Sequence, residues 1–146
     1  MRRSVALMLG VALVVLTVDL AHKAYAVAKR GDELLYHERS LGYAAGVLLA
    51  AAVWCAALLA TRSLGLALAG GILLGGTAGN AASWALWPAY DGTPNPFFVG
   101  DTELGLAFNV ADVAVVGAVF IVLPVGLAVF VARNRHRLRE PIRLRS

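Results

Sequence analysis

Charge is what this sequence has least of. Asp, Glu, Lys and Arg make up only 15% of 146 residues, and 60% are hydrophobic, against about 25% and about 45–50% in soluble domains. So few charges do not cover a soluble surface, which excludes a soluble enzyme and a nucleic-acid-binding domain despite a net charge of +4. Cysteine is nearly absent too: Cys55 stands alone, within an apolar run, so no intramolecular disulfide forms. The three histidines, His22, His37 and His136, show no ligand spacing such as i, i+4, and no metal or other cofactor is expected. No internal repeat is long enough to suggest an inverted-repeat transporter.

What is present instead is long uncharged sequence. The intervals Ser4–Val18, Ser40–Thr61, Ser63–Tyr90 and Val113–Ala132 hold 85 of the 146 residues. A helix needs about 20 residues to cross the hydrocarbon core. The pattern predicts an all-α membrane protein, a single domain over 1–146 with spans near 4–22, 41–60, 64–87 and 110–132. A cleaved signal peptide over Met1–Ala26 is the competing reading of the first run, and Asp19 and Lys23 count against it.

Basic residues orient the chain. With both termini cytoplasmic, that side holds Arg2, Arg3, Arg62, Arg133, Arg135, Arg137, Arg139, Arg143 and Arg145, and the outer side only Lys23, Lys29, Arg30 and Arg39. The third loop, near Trp87–Asn109, has no basic residue. The C-terminal arginines read as a topology anchor that favours anionic lipid headgroups.

Two outer segments depart from lipid-facing helix. Ala24–Arg39 mixes charge with Tyr25, Leu34, Leu35 and Tyr36 and suits an extended, partly sheet-like element. Pro88–Phe108 carries Pro88, Pro94 and Pro96 and must form a loop. Trp84, Trp87, Tyr90, Phe97, Phe98 and Phe108 lie near it, as in an interfacial aromatic belt. The third span is rich in small residues, Gly70, Gly71, Gly75, Gly76 and Gly79, which let helix backbones approach closely.

Polar side chains inside spans are the informative ones, because each is costly unless paired. In this topology Asp19 and Lys23, Asn80 and Ser83, and Asn109 and Asp112 all arrive at the outer boundary. Asn80 and Ser83 are three apart, as are Asn109 and Asp112, so each pair is expected to share a helix face. Asp19 and Lys23 are explicable as an i, i+4 ion pair at a helix end. An interhelical hydrogen-bond network is the structural account of the set. Asp112 is the member that account explains least, having no basic residue within a turn of its own helix.

These residues resemble the bacterial lipoprotein signal peptidases (signal peptidase II), membrane aspartic peptidases with four spans. Gly75-Gly76-Thr77-Ala78-Gly79-Asn80-Ala81-Ala82-Ser83-Trp84 is similar to the family's Gly-Gly-x-x-Gly-Asn-x-x-Asp-Arg motif. Phe108-Asn109-Val110-Ala111-Asp112 matches Phe-Asn-x-Ala-Asp, and Asp19 with Lys23 matches Asp-x-x-x-Lys. Val99-Gly100-Asp101 is similar to Val-x-Asp, and Ser40-Leu41-Gly42-Tyr43-Ala44 to Asn-x-Gly-Ala-Ala, placing Gly42 among the supporting residues. The resemblance implies a four-helix bundle in the bacterial cytoplasmic (inner) membrane with its site facing outward. Its partners would be diacylglyceryl-modified prolipoprotein signal peptides and membrane lipids, with no nucleic acid.

The family chemistry needs two carboxylates sharing one proton, one acting as base and one as acid. Here Ser83 stands at the first aspartate position and Trp84 at the arginine, leaving Asp112 as half of a pair. The implied function is therefore recognition of lipid-modified signal peptides with impaired two-aspartate proteolysis. The alternatives are an active peptidase pairing Asp112 with Asp101, a Ser83 nucleophile with Lys23 as base, or an unrelated four-span structural or transport protein.

Overall fold

A computed structural model describes residues 1–38, 40–90, 92–100 and 105–138. It is mostly helical. Helix α1 (Arg2–Arg30) is followed by a 3-10 turn (Gly31–Glu33) and strand β1 (Leu35–His37), then α2 (Leu41–Ala60) and α3 (Leu64–Leu86). A second 3-10 turn (Pro88–Tyr90) leads into β2 (Thr93–Asn95), β3 (Phe97–Val99) and β4 (Leu106–Phe108). Helix α4 (Val110–Gly117) then runs through a wide π turn (Ala118–Val122) into α5 (Leu123–Leu138). Four helical stretches, Arg2–Glu33, Leu41–Ala60, Leu64–Leu86 and Val110–His136, are long and apolar enough to cross a membrane.

Local chemistry sets the helix starts. Ser40 and Ser63 each accept from a backbone N–H three residues on, at Tyr43 and Leu66, and so cap α2 and α3. Between those helices Thr61 Oγ1 donates to Leu58 O at 2.6 Å and Arg62 takes a positive φ of 58°, closing the turn. Ser4 Oγ donates to Arg62 O, so the start of α1 and the α2–α3 turn share one end of the bundle. The strands lie at the other end.

Helix α3 is the centre: 56% of its most apolar window is buried, against 11–22% in the other three. Its glycines explain the approach. A Cβ on Gly71 would sit 2.6 Å from Met8 O, one on Gly75 2.5 Å from Ala12 O, and one on Gly76 2.8 Å from Ala111 O. Positions 71, 75 and 79 thus face α1, while Gly76 faces α4. Met8, Cys55, Leu58, Leu66 and Ala67 form the apolar core, and Cys55 Sγ donates to Gly70 O at 3.3 Å. The exterior is apolar instead of charged, with Leu13, Val14, Leu49, Val53, Phe120 and Ile121 all exposed.

Two short antiparallel pairs cover the strand end. β1 pairs with β2, Leu35 opposite Asn95 and His37 opposite Thr93; β3 pairs with β4, Phe97 opposite Phe108. The extended element expected over Ala24–Arg39 is smaller than that. No Gly or Pro interrupts α1 between Val11 and Arg30, and Lys23 and Ala26 are buried, so the helix continues to Arg30 and only Leu35–His37 is strand. The aromatic residues near the loop stack in part: Phe97 lies between His22 and Phe108, and Tyr36 stacks flat on Tyr90.

Candidate functional site

At the strand end, α1, α3 and α4 converge on a polar cluster closed to solvent on one side. Lys23 Nζ donates to Asp19 Oδ2 at 2.6 Å, to Asn80 Oδ1 at 2.9 Å and to Ser83 Oγ at 3.0 Å. Asp19, Lys23 and Ser83 are 0% exposed, a depth at which charge survives only when fully partnered. Asp19 completes its bonding elsewhere, since Oδ1 accepts the Ala111 backbone N–H at 2.8 Å. It therefore places negative charge at the N-terminus of α4, where the helix dipole favours it.

The cluster continues to Asp112. Lys23 occupies Asn80 Oδ1, so the Asn80 amide turns its Nδ2 to Asp112 Oδ1, 2.8 Å away. The other carboxylate oxygen of Asp112 accepts from the Asn109 backbone N–H at 3.1 Å, and Asn109 Oδ1 accepts from the Asp112 backbone N–H at 3.0 Å. This is a reciprocal capping box at the start of α4. Asn109 thus precedes the helix as its cap and does not share a helix face with Asp112.

Asp112 is half-buried, and two hollows meet at it. One, of about 180 Å³, is lined by Tyr43, Val47, Thr77, Asn80, Trp84 and Asp112 among others. The second, about 550 Å³ and almost wholly apolar, runs along the last helical stretch past Val113, Gly117 and Ile121, with His37 and Asp112 its only ionisable lining residues among those described.

Of the residues singled out in the sequence, Asp19, Lys23, Asn80, Ser83, Asn109 and Asp112 come together. Gly42 does not: it is exposed near the start of α2, and a Cβ there would meet only Ser40 Oγ, at 3.9 Å. Asp101 lies outside the described residues. Ser83 Oγ donates to Gly79 O at 2.7 Å and accepts from Lys23 Nζ, which is itself ion-paired to Asp19.

Asn95, His37 and Thr93 extend the network beyond the residues singled out. Asn109 Nδ2 donates to Asn95 Oδ1 at 2.8 Å, Asn95 Nδ2 meets His37 Nδ1 at 3.0 Å, and Thr93 Oγ1 reaches Asn80 O at 3.4 Å. The only sequence signal for Asn95 was its place between Pro94 and Pro96, which reads as a turn. Among the described residues no three His, Cys, Asp or Glu side chains form a metal-ligand set.

No family model matches the chain, and neither a curated protein nor a solved structure matches it.

Proposed function

We propose that this chain is a multi-pass protein of a bacterial cytoplasmic membrane, its strand end outward, resembling signal peptidase II. It holds diacylglyceryl-modified prolipoprotein signal peptides beside Asp112 without cleaving them by the two-aspartate route. One observation carries this reading: a half-buried carboxylate, fixed by Asn80 and Asn109, stands where two hollows meet, a small one in which Thr77, Asn80 and Asp112 are the polar members of a mostly apolar lining, and a larger apolar groove. Such a junction suits a ligand with one peptide part and one acyl part. Among the described residues, the position matching the first aspartate supplies no acid. Ser83 occupies that position as a buried hydroxyl bonded to Lys23 and Gly79, and a hydroxyl does not serve as a carboxylate base near neutral pH. Asp19 is no substitute, because both its oxygens are committed, to Lys23 and to Ala111.

The test is expression in cells depleted of their own lipoprotein signal peptidase, with a photo-crosslinker at Trp84 and a prolipoprotein followed by electrophoresis. The expected result is a crosslinked precursor and no mature form, with processing appearing in Ser83→Asp. Processing by the unaltered chain would overturn the non-cleaving reading, and its loss in Asp101→Asn would then identify Asp101 as the second acid. Absence of any crosslink would overturn the binding reading.

A further inference from the structure

Asp112 is tied to His37 by a run of hydrogen bonds whose directions are forced. The Asp112 backbone N–H only donates, so Asn109 Oδ1, 3.0 Å away, is the acceptor. The Asn109 amide nitrogen then points the other way and donates to Asn95 Oδ1 at 2.8 Å. Asn95 is left presenting Nδ2, which reaches Thr93 O at 3.1 Å and His37 Nδ1 at 3.0 Å. With Nδ2 as the donor, Nδ1 is the acceptor, which calls for the Nε2–H tautomer of His37. A second proton on Nδ1 would oppose donor to donor. Turning the Asn95 amide over would only move that opposition to Asn109 Nδ2. No orientation of the two amides therefore satisfies a protonated His37 while the α4 cap stays intact.

His37 is exposed at the mouth of the apolar groove, so protons reach it readily. Among the described residues, the charged groups around it are Asp112 of α4, lining the same groove, and Glu38 beside it in the chain. β2 presents Asn95 and Thr93, and β4 presents Leu106 and Phe108, all neutral. Arg39, Asp91, Asp101 and Glu103 lie outside the described residues.

We propose that His37 is a positioning residue for Asp112. Neutral, it holds Asn95 and Asn109 and so aims the Asp112 carboxylate; protonated, it releases them and weakens ligand binding in the groove. The ligand part rests on the function proposed above, whereas the relay stands without it.

The experiment uses the whole chain in lipid nanodiscs with 15N-labelled histidine. Long-range 1H–15N spectra at about pH 8 should show His37 as the Nε2–H tautomer. Hydrogen-exchange protection of the Asp112 amide, corrected for intrinsic rates, should fall about tenfold between about pH 8 and about pH 5. His37→Gln, whose Oε1 accepts from Asn95 but does not titrate, should hold that protection within about twofold. An Nδ1–H tautomer, or an equal fall in His37→Gln, would overturn the relay. Binding of a synthetic diacylated signal peptide is measured alongside. Binding that weakens at about pH 5 in the unaltered chain but not in His37→Gln supports the coupling, and pH-independent binding overturns it. A correct tautomer and exchange response without any binding would instead overturn the proposed function alone.

Discussion

The two ends of α3 are held in opposite ways. Towards the α2–α3 turn, Gly71 and Gly75 bring backbones so close that no side chain fits between α3 and α1. Towards the strands, Asn80 and Ser83 meet Lys23, and Asn80 also meets Asp112. The first contact is short-range and non-polar, tolerant of chemistry and intolerant of volume. The second is the reverse, since a buried ammonium accepts a change of shape more readily than the loss of a partner. One helix thus separates the work of assembly from the work of the site.

Lys23→Met tests the difference most severely. It strands the Asp19 carboxylate at 0% exposure and should cost about 3–5 kcal/mol, measured by denaturant unfolding in detergent. Adding Asp19→Asn should recover part of the loss. Gly75→Val probes the other end, forcing Ala12 away for about 1–3 kcal/mol. An equal or larger loss there than in Lys23→Met would reverse the comparison. Asn109→Ala removes the α4 cap and should cost about 1 kcal/mol while lowering exchange protection at the Asp112 amide. A matching control is Gly46→Ala, because a Cβ there meets nothing within 4 Å; it should gain about 0.5–1 kcal/mol from helix propensity.

The smallest effect separates the ends by pH. Burial, then the nearby Tyr90 and Asp32, push the Tyr36 hydroxyl from 10.0 up to about 12. Between those values the folded chain keeps a proton that the unfolded chain has lost. Stability therefore falls as pH rises from about 10 to about 12. Tyr36→Phe should flatten that slope, read from thermal unfolding across the same interval.

Much of this arrangement was legible before any coordinates. Uncharged runs located the four long helices, and three-residue spacings gathered Asn80, Ser83 and Asp112 at one end with Asp19 and Lys23. What periodicity missed was direction. Asn109 followed by Asp112 three residues on is also a capping-box spacing, and a face-sharing reading overlooks that a cap lies outside the helix it starts. Asn95 was invisible for a related reason: its value comes from pairing between β1 and β2, separated by two whole helices, and nothing local marks it. The length of α1 was underestimated because charge was taken to end the helix. Lys23 is instead absorbed by α3.

The π turn at Ala118–Val122 gives the last helical stretch its double use. Ala111 and Val115 pack on Gly76 before it, and Gly126 packs on Gly65 after it. A regular helix could not keep both contacts in phase, since one residue is worth about 100° of rotation. The wide turn is a phase correction, a spare residue that lets Asp112 be aimed at one end without unseating the other. Deleting a single residue there should leave composition and length almost untouched yet turn the site away from its partners. The aim of the carboxylate is thus set by arithmetic along the helix as much as by the bonds that hold it.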